Sequence, residues 1–533
     1  MKYSGQTNKI SGKDWLQYHP YDNTTYIDNY YVSLCNDVLK IVSQSEIANF
    51  LEGSSEEKKL ACMLVCYFED VISETHLFSA FTRLHKKMYG KELPFYKISD
   101  DYYYDEVNLH DIYFLTWYQI SIFNEDMVID PCFENSEAFL DAISKIYNLF
   151  NNEFENAPQN ESLQKFLQLS SADNNVMIVR EKINFIACNS FLYNSFFERF
   201  FRDMIEKYKK NDVLVLDEQT NVKIYDQRIN FYYNECLPLL SLRVNEYYAE
   251  VLGEKNSGYQ FIKNISKRIF GCFLIRKIES DGFVIEHLTS KKQIWLSNEF
   301  TTLDGVKLVE NETVLSIGIV EWKENVWQNQ GGCVVTTLAN MEGEDISKHL
   351  FVDENSKMET IHKLEKAFLE LTNGKRMTYF SGKSELAEFH ANLTRKHAKI
   401  VKPDITEHEL NNIYNNIADN IESKLPFEDD ETIGVFFNSN GGVEMYAEEL
   451  ISCMKDTNNP YYTHEEFNLC DLIYNDMFST EFINHVIEND LINLYVDDYY
   501  NPDMFKIIME NLDFMIRFYK CNEYFSKPRV TIV

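Results

Sequence analysis

Residues 269–296 read IFGCFLIRKI, ESDG, FVIEHL, TSKK and QIWL. Three short runs rich in β-branched and aromatic residues are punctuated by Ser280-Asp281-Gly282 and by Thr289-Ser290-Lys291-Lys292. Asp-Gly between two apolar runs is a strong hairpin signal. Two further runs follow, Thr313 to Trp322 and Gly332 to Thr336. The spacing predicts five short strands in a small antiparallel β-barrel or curled sheet.

On either side the period is helical. Before it, Asp28 to Val42 carries Tyr31, Leu34, Val38 and Ile41 at helical spacing. Ser54-Ser55-Glu56-Glu57 reads as a helix start, and the helix runs on through ACMLVCYFEDVI. Asn108 to Phe123, Ser136 to Phe150 and one long helix from Val176 to Tyr208 follow, the last with a core stripe of phenylalanines. Beyond the strands, helices are predicted over Glu359 to Leu371, Lys383 to Lys396, Thr406 to Lys424, Thr463 to Phe478, Thr480 to Asn489 and Asp503 to Lys520. Ile433 to Phe437 and Val443 to Tyr446 form a hairpin. The fold class is therefore mainly α with a small sheet inserted mid-chain, α+β and multidomain. Three parts are expected: a helical domain over 1–255, the barrel-like domain over 256–340, and a mainly helical domain with one hairpin over 341–533.

A chain of 533 residues exceeds what one hydrophobic core supports. Its 51 Lys and Arg against 84 Asp and Glu leave a formal charge of −33, which repels phosphate polyanions at long range. The N-terminus lacks the apolar stretch of a signal peptide. Ile112 to Phe123 is too short for a membrane span, so no membrane partner is expected. Eleven scattered cysteines without a CxxC read as reduced thiols, so the protein is expected to be soluble and cytoplasmic.

Three stretches stand out together: Asp14-Trp15-Leu16 with His19-Pro20-Tyr21, then CYFEDVIS over Cys66 to Ser73, then LPFY and DDYYYDEVNLHDIYFLTWY over Leu93 to Tyr118. They resemble an uncharacterised bacterial family of gut anaerobes, known only as a domain of unknown function, over about the first 130 residues. That resemblance carries no activity and so assigns no catalytic residue. Ile269 to Val335 separately resembles small β-barrels that accompany SEC-C motifs, but the cysteine cluster of that motif is missing here, which removes any zinc inference.

Two constellations could carry chemistry. Asp100, Asp101, Asp105, Glu106 and Asp111 crowd one segment, with Glu69, Asp70 and Glu74 on the preceding helix. Asp70 and Glu74 are expected to share a helix face at i, i+4. Carboxylates at this density can hold Mg²⁺ or Mn²⁺ and activate water, so Asp70, Asp101, Asp105 and Asp111 are the candidate metal ligands. The competing reading is that acids cap the helix starting near Asn108. In the second constellation, Lys375, Arg376, Lys383, Arg395, Lys396, Lys399 and Lys402 form a basic island in an acidic chain. It could contact a nucleic-acid backbone or another anion, or serve as an internal counter-surface for acidic neighbours or for Glu428 to Glu431. Phe380-Ser381-Gly382-Lys383-Ser384 fails the P-loop pattern, since Met377 stands where the first Gly belongs.

Two functional readings stay open. In the first the protein is a non-enzymatic interaction or regulatory protein with a protein partner and no resident cofactor. In the alternative it is a metal-dependent hydrolase or nuclease at residues 100–111, with nucleic acid guided by 375–402 and a role in defence. Whether it is an enzyme is not decided by the sequence.

Overall fold

The computed structural model describes residues 9–98, 102–124, 127–132, 136–170, 175–210, 213–214, 218–299, 306–341, 354–421 and 425–524. They form a mixed α+β structure, mainly helical, in two compact units. One unit takes Met1–Phe351 together with Asn501–Thr531, the other Val352–Tyr500.

The first unit opens with α1 (Gly12–Leu16), α2 (Tyr26–Ser43), α3 (Ser54–Ile72), α4 (Leu77–Tyr89), α5 (Leu109–Phe123) and α6 (Glu137–Glu153). It continues with α7 (Glu161–Leu167), α8 (Val176–Cys188), α9 (Asn194–Glu206), α10 (Glu218–Asn234), α11 (Val244–Leu252) and α12 (Tyr259–Lys263). Helices α1 and α2 begin in reciprocal caps, Ser11 with Asp14 and Thr25 with Asp28. Helix α5 is buried on every side from Asp111 to Ile122, which is why its sequence shows so little amphipathic period. The stretch that came nearest to a membrane span is thus a core helix.

The long helix expected over 176–208 is two helices. The chain breaks between Cys188 and Asn194, where Ser190 Oγ donates to Ile186 O, Asn194 Nδ2 to Cys188 O and Asn189 Nδ2 to Gln17 O. Short polar side chains that bond the backbone compete with the helical ladder. The last predicted helix divides in the same way at Asn511, into α19 (Met504–Glu510) and α20 (Leu512–Tyr519), both in this unit.

The five strands of the middle segment are β1 (Ile269–Ile278), β2 (Gly282–His287), β3 (Gln293–Ser297), β4 (Thr313–Lys323) and β5 (Val326–Thr337). Hairpin pairings link β1–β2, β2–β3 and β4–β5, and β1 pairs antiparallel with β4. A single parallel pair, Leu296 with Trp327, joins β3 to β5, so the curled sheet returns on itself in the order β1-β2-β3-β5-β4. Phe273, Ile275, Phe283, Ile285, Leu296, Leu315, Ile317 and Ile319 fill its interior.

The sheet is pinned from outside by Arg268, whose side chain is 1% exposed. Its guanidinium pairs with Asp226 of α10, and Nε donates to Gln330 O at 2.8 Å. That placement needs a glycine beneath it, because a Cβ on Gly318 would lie 2.0 Å from Arg268 Nη2.

The second unit holds α13 (Glu354–Leu371), β6 (Met377–Ser381), α14 (Lys383–Val401), α15 (Glu407–Ile421), β7 (Thr432–Asn438) and β8 (Gly442–Tyr446), then α16 (Glu448–Ile451), α17 (Leu469–Tyr474) and α18 (Thr480–Glu488). The predicted hairpin gains a third strand, β6, in the order β6-β7-β8. The helix expected over 463–478 shrinks to α17, because Phe467 and Asn468 pair as strand with Leu494 and Tyr495.

Substituting Gly318 by Ala should force the pinned guanidinium aside and cost about 1–3 kcal/mol. Gly332→Ala, which meets nothing within 4 Å, is the matched control. Thermal unfolding of both should show a lowered Tm for the first and a near-wild-type Tm for the second.

Candidate functional site

Helix α3 carries the candidate site. It is followed by a turn in which Glu74 and His76 both adopt left-handed backbone, φ +50° and +62°. Such non-glycine conformations cost about 1–3 kcal/mol each and persist only where the surroundings enforce them. Here the enforcing group is Asp70. Its Oδ1 accepts from the Thr75 hydroxyl and from Leu77 N at 2.8 Å, and its Oδ2 accepts from Phe78 N at 2.8 Å. Asp70 thus supplies to α4 the cap that His76, at the N-cap position, does not provide.

Asp111 lies in the first turn of α5 and is 2% exposed. Oδ2 accepts from Tyr67 Oη at 2.7 Å and Asn108 Nδ2 at 3.2 Å, and Oδ1 from Tyr102 Oη at 3.0 Å. Burial outweighs these donors and pushes its pKa up to about 7. Burial also raises the Asp70 pKa against its own three hydrogen bonds.

Asp70, Asp105 and Asp111 line one pocket with Tyr67, Glu74 and His76. Its volume of about 20 Å³ admits one water. Asp105 is exposed at the rim, and Asp101 lies outside the described residues. Glu74 does not share a helix face with Asp70, since α3 ends at Ile72. Among the described residues no group of three or more His, Cys, Asp or Glu is placed to hold a metal ion.

On the other side of α3 lies a buried network that the sequence reading of acids alone misses. His19 Nδ1 donates to Trp15 O at 3.1 Å, and Nε2 meets Glu69 Oε2 at 2.8 Å. A carbonyl only accepts, so Nδ1 carries a proton. Burial pulls the His19 pKa down, but the Glu69 charge and hydrogen bond overcome it and leave the pKa raised. The contact is a buried histidine–carboxylate pair, with both side chains at most 2% exposed. Asn160 Nδ2 donates to the other Glu69 oxygen at 2.9 Å, and Trp15 Nε1 and Tyr21 Oη each donate to Asp28 Oδ1 at 3.0 Å. The signal for this network was the Trp15, His19 and Tyr21 cluster quoted above.

The basic island of the second unit is placed differently. Lys383 pairs with Asp429 at 2.8 Å, Lys396 with Glu370 at 3.0 Å and Arg395 with Glu407 at 3.1 Å. Lys399 reaches Glu407 at 3.6 Å and Lys402 reaches Glu409 at 3.5 Å. Arg376 pairs with Glu481, and Lys375 bonds Asn458. Strand β6, Gly382 and α14 do form a strand–turn–helix, which the sequence had not led one to expect around the failed P-loop. However, β6 runs antiparallel to β7 and the motif's lysine is engaged by Asp429.

Residues 9–270 match the model of a family described as a protein of unknown function, DUF3843. No curated protein and no solved structure matches. The DUF3843 match takes in α1 to α12, hence the Asp70–Asp111 pocket and the His19–Glu69 network, and it stops at the start of β1. It reaches about twice as far along the chain as the resemblance first read from the sequence.

Asp111 and His19 each make stability fall as pH rises, whereas His85, which burial keeps neutral down to about pH 3, works the other way. Asp111 holds its proton in the folded state up to about pH 7 and in the unfolded chain only to about 4, so its contribution is lost across that window. The raised His19 pKa adds stability that is complete below about 6.5 and is lost as pH passes the folded value. Asp111→Asn should therefore gain Tm on the wild type between pH 5 and 8, on the order of a few kcal/mol in stability, as read by thermal unfolding across that range.

Proposed function

We propose that this chain is a non-enzymatic interaction protein whose partner is another protein. The observation that carries the reading is that the basic island and the two buried aspartates are engaged within their own units. The seven cations from Lys375 to Lys402 meet Glu, Asp or Asn partners inside the second unit, and those partners cancel much of the local positive field. The oxygens of Asp70 and Asp111 are taken by internal donors.

What remains outward is the acidic excess of −33. It favours a partner with a basic surface and an association that weakens with salt. Among the described residues no helix is long and apolar enough to cross a membrane, which supports a partner away from the bilayer. Eleven free cysteines support a reducing compartment, and the cytoplasm is our assignment.

A second reading, Mg²⁺- or Mn²⁺-dependent hydrolysis, draws on one observation, the meeting of Asp70, Asp105 and Asp111 at a single pocket.

Two measurements separate the readings. Affinity purification of the full chain, run in parallel with and without nuclease, should retain in both arms a protein partner that leaves as salt is raised. Recovery of nuclease-sensitive nucleic acid alone would overturn the proposal. Titration with Mn²⁺ or Mg²⁺ to millimolar concentration should leave Tm unchanged, whereas a metal-specific rise would favour the hydrolase.

A further inference from the structure

A roomy cleft of about 760 Å³ lies elsewhere in the first unit, within the size range of small-molecule sites. The end of α4, the loop after it and α19 line it. Lys91, half-buried, is the residue that sets its chemistry. Its Nζ donates to Asn511 Oδ1 at 2.7 Å, a neutral oxygen.

Two of the three carboxylates that line the cleft are engaged by other lysines, and the third, Asp503, has no ion pair among the described residues. Glu92 pairs with Lys86 at 2.5 Å and Glu510 with Lys506 at 3.8 Å. Among the described residues Lys91 has no ion pair, and Glu510 acts on it only from beyond contact. Burial accordingly pulls the Lys91 pKa down. An ammonium drawn out of water against an amide alone is costly, and it still has two donors to place.

The surrounding loop is held in shape for such a ligand. Asn511 Oδ1 also accepts from Phe95 N at 3.2 Å, and His85 Nδ1 donates to Lys91 O at 2.7 Å. Phe95 adopts φ +68°, a left-handed conformation that its packing against Trp117 and Phe514 enforces. Both the backbone and the head of Lys91 are therefore fixed before anything binds, which lowers the ordering cost of binding.

We propose that this cleft binds a small organic anion, its carboxylate or phosphate on the Lys91 ammonium and its apolar part against Tyr96 and Ile507. The proposal is independent of the protein-partner reading. Nothing covalent is involved.

The test is thermal unfolding of the full chain in inorganic phosphate and, separately, in benzoate, each against chloride at matched ionic strength. In the wild type at least one anion should raise Tm by about 2 °C or more. A rise with phosphate alone points to a phosphate ligand, and a rise with benzoate alone to a carboxylate. The rise should vanish in Lys91→Met, which removes the ammonium. It should vanish also in Asn511→Asp, which supplies a carboxylate of its own and serves if the first variant does not fold. No rise with either anion in the wild type, or a rise that survives in a folded variant, overturns the proposal.

Discussion

Asp70 spends its carboxylate on the backbone of the next helix. Two N–H groups at the start of α4 and the Thr75 hydroxyl converge on it. The strained turn through Glu74 and His76 exists only because that carboxylate is there to receive it. The direction in which α4 leaves α3 follows, and so do the placement of its aromatic residues around α5 and the pocket beneath Asp111. A charge taken out of water has to be met, and in this protein it is met from within.

The same constraint joins the three sequence stretches that resemble one family. Trp15, His19 and Tyr21 come from the first, Tyr67, Glu69 and Asp70 from the second, and Tyr102 and Asp111 from the third. His19 meets Glu69, and Tyr67 meets Asp111, so α3 is the seam on which the first and third stretches are fastened. In each contact a polar group too deep for water receives a partner. This accounts for dense acids and tyrosines without requiring a reaction of them.

Much of the fold was legible because periodicity reports burial directly. The strand runs from Ile269 to Trp322 and the helices α2, α3, α5 and α6 lie close to where their apolar spacing puts them. The breaks at Asn189–Ser190 and at Asn511 were not legible, since each depends on what one polar side chain finds nearby. Strand β6 was missed for a related reason: its pairing with β7 is closed across the fifty residues of chain between them.

The candidate site was legible as composition and not as geometry. The acidic cluster does draw Asp70, Asp105 and Asp111 to one pocket, yet nothing in the sequence says that Leu77 and Phe78 amides claim Asp70 first. The basic island was visible, and so was the acidic stretch 428–431 whose Asp429 meets Lys383, but Glu370 and Glu481, which also engage it, lie outside both windows. Glu69 and Asn160 are 91 residues apart, and only folding shows that the Asn160 amide donates to the Glu69 carboxylate.

Asp70 is the carboxylate on which the junction of α3 and α4 rests. Amide hydrogen exchange at the start of α4 in an Asp70→Ala variant, without added metal, tests this most directly. Leu77 and Phe78 should lose protection, and the variant should melt at a lower temperature. Unchanged protection and unchanged Tm would contradict it.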